Sequence, residues 1–208
     1  MNLGFIGTGN IVSDTVTGIC KSKLSFKKII ISPRNKQKAL KLKKKFKKVI
    51  IAKNNQEVVD KSDWVFFGVL PKVGEKILPK LKYKNNQVIV SFISTINYSQ
   101  LKKIVKKKLK IVRAIPMPPI QLGKGPVAIF PPDKKVKSFF NKIGKTIEIK
   151  NEKLSKNFWA ISGTMASFYE LVKILSDWLV KKRLKRIQAQ QYITSLYSAL
   201  AELASANS

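Results

Sequence analysis

Short apolar runs separated by lysine-rich stretches are the feature that most narrows the fold. Seven such runs occupy residues 3–6, 29–31, 49–52, 64–69, 88–93, 111–115 and 127–130, and a short eighth follows at 146–149. Each is continuously apolar rather than alternating, as in strands covered on both faces. Between them lie stretches such as 36–46 and 98–108, where Leu40, Leu42 and Phe46, or Leu101, Ile104 and Val105, give helical spacing against lysine. Strand and helix in alternation predict an α/β fold built on a doubly wound parallel sheet. The lysines of such helices form a solvated face.

The pattern changes near Asn151. From there Leu154, Phe158, Ile161, Met165, Phe168, Val172, Leu175 and Leu179 follow a 4-3-4-3 spacing, which predicts one long helix. Trp159, Tyr169 and Trp178 widen its apolar stripe, and a second helix is expected over 187–204. The expected organisation is a Rossmann-type domain over 1–150 and an all-α dimerisation region over 151–208. Two helices make a poor core by themselves, so a homodimer or higher homo-oligomer is expected.

Composition excludes several chemistries. The 208 residues carry a formal charge of +31, with 42 basic residues against 11 acidic. Only Arg34, Arg113, Arg183 and Arg186 are arginine, and no aromatic residue interleaves the lysine runs as a base-stacking platform would need. That distribution fits compositional drift better than a dedicated nucleic-acid function. There is no histidine and one cysteine, Cys20, which removes histidine-based triads and shuttles, a disulfide framework and cysteine–histidine metal sites. No metal is expected. No run approaches the ~18 apolar residues of a membrane span, and the N-terminus lacks the basic and apolar parts of a targeting segment. A cytoplasmic protein without membrane contact is the expectation.

The chemistry-bearing motif is Gly4-Phe5-Ile6-Gly7-Thr8-Gly9-Asn10-Ile11-Val12, a strand running into Gly-x-Gly and then a helical pattern. Gly7 permits a tight turn, Gly9 lets the backbone approach a pyrophosphate, and the helix N-terminus offers N–H groups to that anion. The third glycine position holds Val12. The acid that would bind a ribose 2′-hydroxyl about 20 residues on is missing. Ser32 and Arg34 stand at the end of the second strand instead, a hydroxyl and a guanidinium suited to a 2′-phosphate. The reading is NADP(H) rather than NAD.

These stretches resemble the pyrroline-5-carboxylate reductase family. Residues 4–11 match its opening GFIGxGxM, and Asp63-Trp64-Val65-Phe66-Phe67-Gly68-Val69-Leu70-Pro71-Lys72 resembles its DVIFLAVKPQ. Val112-Arg113-Ala114-Ile115-Pro116 resembles VRAMPN, and residues 162–168 stand where the family has SGSGPAY. The resemblance implies that Ile6, Gly7, Thr8, Gly9, Asn10 and Ile11 form a pyrophosphate turn, and that Ser32 and Arg34 face the 2′-phosphate. Asn55 would lie on the adenosine side. Val69, Leu70 and Pro71, with Phe92, Ile93 and Ser94, would line the cleft at the ends of strands four and five. Ser162, Gly163 and Thr164 would meet the substrate.

Departures from the family cluster where nicotinamide and substrate would meet. Leu70 replaces Lys, Ser94-Thr95 replaces Ala-Gly, Met117-Pro118 replaces Asn-Thr, and Met165-Ala166 replaces Gly-Pro. The implied activity is NADPH-dependent reduction of a cyclic imino acid. A related NADP oxidoreductase with another substrate and a non-catalytic nucleotide-binding module remain open. The residues name no general acid. The family's chain runs on past the second helix, so the helical region is expected to be incomplete here.

Overall fold

The computed structural model describes residues 1–206. Its first part runs β1 (Leu3–Ile6), α1 (Asn10–Lys21), β2 (Ile29–Ile31), α2 (Lys36–Lys45), β3 (Val49–Ile51), α3 (Asn55–Asp60), β4 (Trp64–Phe67) and α4 (Pro71–Ile77). Then follow β5 (Val88–Ser91), α5 (Tyr98–Val105), β6 (Lys110–Pro116), β7 (Pro126–Phe130), α6 (Lys134–Phe140) and β8 (Lys145–Glu148). The strands form one sheet in the order β3-β2-β1-β4-β5-β6-β7-β8. The order reverses direction beside β1, and there the C-terminal ends of β1 and β4 open a crevice.

Strands β1, β2 and β4 are apolar throughout because each face of the sheet has its own core. Leu3, Phe5, Ile29, Ile31, Trp64 and Phe66 pack on one side with Val12, Val16 and Ile19 of α1 and Phe139 and Phe140 of α6. Ile6, Ile30, Val65 and Phe67 pack on the other with Val58 and Val59 of α3 and Leu101 and Val105 of α5. Neighbouring residues of a strand point to opposite faces, so two covered faces demand an unbroken apolar run. Phe5 and Phe66, from adjacent strands, stack with ring centroids 4.5 Å apart.

The sheet departs from the expected all-parallel arrangement at one pair. β6 and β7 run antiparallel, with Arg113 opposite Phe130 and Pro116 opposite Val127. Their connection holds only a short 3₁₀ segment, Pro118–Leu122. A parallel return needs a crossover of about a dozen residues or more, usually a helix, and this link has none.

The chain divides into two compact units, the first Met1–Ser155 and the second beginning at Lys156. The expected single long helix beyond Leu154 is two, α7 (Ser155–Ser162) and α8 (Thr164–Lys181), separated by Gly163. Gly163 keeps near-helical angles, φ −61° and ψ −25°, so the interruption is local. Glycine is among the weakest helix formers, and one residue of it suffices to break the ladder. α9 (Arg186–Ala206) packs on α8, with Phe168 and Tyr197 edge to face at 5.8 Å. Ile161, Tyr169, Ile174, Trp178, Ile187 and Tyr192 remain exposed. Among the described residues no helix is long and apolar enough to cross a membrane.

Candidate functional site

The first unit carries a cleft of about 760 Å³ at the C-terminal ends of β1, β4 and β5. That volume is in the range of small-molecule and cofactor sites, ~300–1,000 Å³. Its floor is the turn from β1 into α1. Gly7 has φ +101°, in the left-handed region, and a Cβ there would sit 2.4 Å from the Gly68 carbonyl oxygen. Both facts require glycine. Gly9 caps α1 without a side chain, and the first turn of the helix holds no acid. The N–H groups at that end, with their partial positive charge, therefore face the cleft with no carboxylate competing for them.

Val12, at the position where a third glycine is expected, is accommodated from the other side. It is fully buried, and a Cβ on Gly68 would lie 2.1 Å from its Cγ2. The space a glycine would leave on the helix is left on β4's extension instead.

Most of the expected cofactor residues converge on this cleft. Gly7, Thr8, Gly9, Asn10 and Ile11 line it from the turn, Arg34 from the end of β2, Val69, Leu70 and Pro71 from the β4–α4 junction, and Phe92, Ile93 and Ser94 from the segment after β5. Three do not line it. Ile6 is fully buried in the core. Asn55 opens α3, outside the lining residues. Ser32 is 1% exposed, and its Oγ accepts the Gly7 N–H at 2.8 Å while its carbonyl accepts from Thr8 Oγ1 at 2.8 Å. Its hydroxyl braces the glycine turn from beneath.

Asn35, Lys36, Gly68 and Val73 also line the cleft and were not singled out in the sequence. The first three adjoin Arg34 or Val69, so adjacency was the available signal. Asn35 caps α2 by accepting from Lys38 N–H, and the Lys38 ammonium donates to Asn10 Oδ1 across the cleft rim. Arg34 and Lys36 are the charged residues of the lining, and both are cations. Asp14, on α1, has its carboxyl pushed up by partial burial, opposed by the nearby Lys38 charge.

The remaining expected residues belong to the second unit. Ser162 Oγ donates to the Phe158 carbonyl within α7, and Thr164 Oγ1, at the start of α8, donates back across the break to the Ile161 carbonyl of α7, each at 2.7 Å. Gly163 lies between them at the α7–α8 break. Among the described residues no cluster of three histidine, cysteine or acidic side chains is placed to hold a metal ion.

The strand order and the crevice define the first unit as a Rossmann-type domain. Residues 2–97 match the family model described as NADP oxidoreductase coenzyme F420-dependent. The chain is 25% identical over 178 residues to a pyrroline-5-carboxylate reductase of Vibrio alginolyticus, covering 81% of this chain and 65% of that one. It is 31% identical over 130 residues to the Aquifex aeolicus enzyme of the same name, covering 62% and 47%. In fold it resembles the Plasmodium falciparum pyrroline carboxylate reductase crystallised with NADP, at a TM-score of 0.83 and 23% identity over 99% of this chain and 79% of that one. The chain is thus similar to pyrroline-5-carboxylate reductases at low identity, and it spans about two thirds or less of the Vibrio and Aquifex relatives.

Proposed function

We propose that the chain is an NADPH-dependent reductase of a cyclic imine, of the pyrroline-5-carboxylate to proline type. The observation that carries this reading is the cleft itself. A glycine turn no side chain can fill, a helix N-terminus without an acidic cap and two cations at the end of β2 converge in one crevice. The residues fit the cofactor. Residues 7–11 would hold the pyrophosphate by backbone N–H groups, and Arg34 with Lys36 would hold the 2′-phosphate. An acidic residue in Arg34's place would repel that phosphate.

NADPH bound there supplies the hydride, and the chain supplies orientation and electrostatics. Val69, Leu70, Phe92 and Ile93 present apolar surface that would exclude water from the reacting end. The lining holds no carboxylate, tyrosine or cysteine to deliver a proton. A cyclic imine whose nitrogen is already protonated needs none, because hydride addition to the ring carbon then yields the neutral amine directly. Ser162 and Thr164, with Gly163, are the proposed substrate contacts, and the second unit is the proposed dimerisation region.

A different imine for the same cofactor is favoured by one feature. Leu70 stands where the family has Lys and is 75% exposed at the cleft. An apolar side chain there would suit a less polar substrate. The test is NADPH oxidation followed by absorbance, with pyrroline-5-carboxylate as substrate and NADPH binding measured alongside. Turnover is expected. Binding without turnover moves the reading to another substrate or to a nucleotide-binding module, and absence of binding overturns it.

A further inference from the structure

The wall of the cleft farthest from the glycine turn is the segment between β5 and α5, where Phe92, Ile93 and Ser94 line the space. Behind it lies Arg113 of β6, which is 5% exposed. One Nη of Arg113 donates to the Ser94 carbonyl and the other to Glu152 Oε1, each at 2.5 Å. The same Glu152 oxygen accepts the Tyr98 N–H at 2.7 Å. Ser94 and Tyr98 flank one short stretch of backbone, and both are tied to a single ion pair.

Stability alone does not account for this pair. A buried guanidinium loses its hydration, and an apolar pair of similar volume is often as stable or more so. Arg113 Nε is moreover buried without a partner, an added cost. What the pair provides is geometry. The planar fork reaches a carbonyl and a carboxylate at once, which a lysine ammonium on a flexible stem does not reproduce. Glu152 also lies three residues before Ser155, where the first unit ends, so the clamp fastens the departing chain to the cleft wall.

We infer that Arg113 and Glu152 are positioning residues that set the height of the 92–97 wall against the nicotinamide end of the cofactor. The inference rests on the proposed cofactor reading. The pair touches neither the glycine turn nor Arg34, so it acts on one half of the cleft only.

The experiment compares two ligands by calorimetric titration: NADPH, and adenosine 2′,5′-bisphosphate, which lacks the nicotinamide half. The proteins are the wild-type chain, Arg113→Lys, and the double variant Arg113→Met with Glu152→Leu. Each variant is expected to weaken NADPH on the order of tenfold or more, since small misplacements in such sites are costly. Affinity for the bisphosphate should stay within about twofold, because the adenosine half keeps its contacts. The double variant should melt near the wild-type temperature, separating position from folding. If it unfolds, Arg113→Lys carries the comparison. Equal weakening of both ligands, or unchanged NADPH affinity in Arg113→Lys, would overturn the inference while the cofactor reading stands. A wild-type chain that binds neither ligand overturns that reading and the inference together.

Discussion

At the residue scale, Ser32 and Arg34 are close in sequence and opposite in role. Ser32 turns inward and braces Gly7, while Arg34 lines the cleft. The difference follows from the chain path after β2, where Ser32, the first residue past the strand, is still held against β1 under the turn and Arg34 lies two residues further on. Nothing in residue type distinguishes them, because a serine hydroxyl serves a phosphate or a backbone N–H equally well. Arg34→Ala should therefore weaken NADPH about tenfold or more, a charge-assisted contact being worth roughly 1.5–3 kcal/mol. NADH should hardly change. Equal losses for both, measured by fluorescence titration, would show that Arg34 does not read the phosphate. A second residue-scale test concerns Val12. Gly68→Ala places a methyl group 2.1 Å from Val12 Cγ2 and should cost about 1–3 kcal/mol in urea unfolding. Val12→Ala in the same chain should recover part of that loss, and purely additive effects would mean the two sites do not share the space.

At the element scale, the strands were legible because burial on two faces leaves no room for polar alternation. Direction was not. The β6–β7 reversal depends on a link without a helix, and apolar runs look the same in either direction. The break at Gly163 was hidden for a related reason, since the 4-3-4-3 spacing of apolar residues continues through it. Helix α6 offers a cleaner test of local physics. Asp133 caps it, accepting from the Lys135 and Val136 N–H groups at 3.0 Å, and its other oxygen pairs with Lys110 at 2.7 Å. Burial pushes the Asp133 carboxyl up, but Lys110 and the two N–H groups outweigh it and hold it below its ordinary value. A folded-state value below the unfolded one adds stability above the unfolded value, about 3.9, and that stability is lost as pH falls through the folded value. Asp133→Ala should cost about 1 kcal/mol at neutral pH. The gap from wild type should close in acid denaturation series below about pH 4, and a gap that persists there would assign the effect to packing instead.

At the scale of the whole molecule, the two units present contrasting surfaces. The first has a core on each face of its sheet, whereas the second leaves Ile161 72%, Tyr192 67% and Ile187 62% exposed. We propose that apolar exposure of that extent on two packed helices serves an interface between copies of the chain. Light scattering on the purified chain should report a dimer or larger assembly, and a stable monomer at micromolar concentration would contradict it. The cleft was largely legible because its parts are local: a glycine turn, a strand end, a strand–helix junction. The Arg113–Glu152 clamp was not, since its partners lie 39 residues apart and Glu152, unlike Arg113, belongs to no motif. The central claim about the molecule is that the cleft holds the phosphorylated cofactor. The most direct measurement is calorimetric titration of the wild-type chain with NADPH and, separately, with NADH. One NADPH should bind per chain, at least about tenfold more tightly than NADH. No binding, or equal affinity for the two, would contradict it.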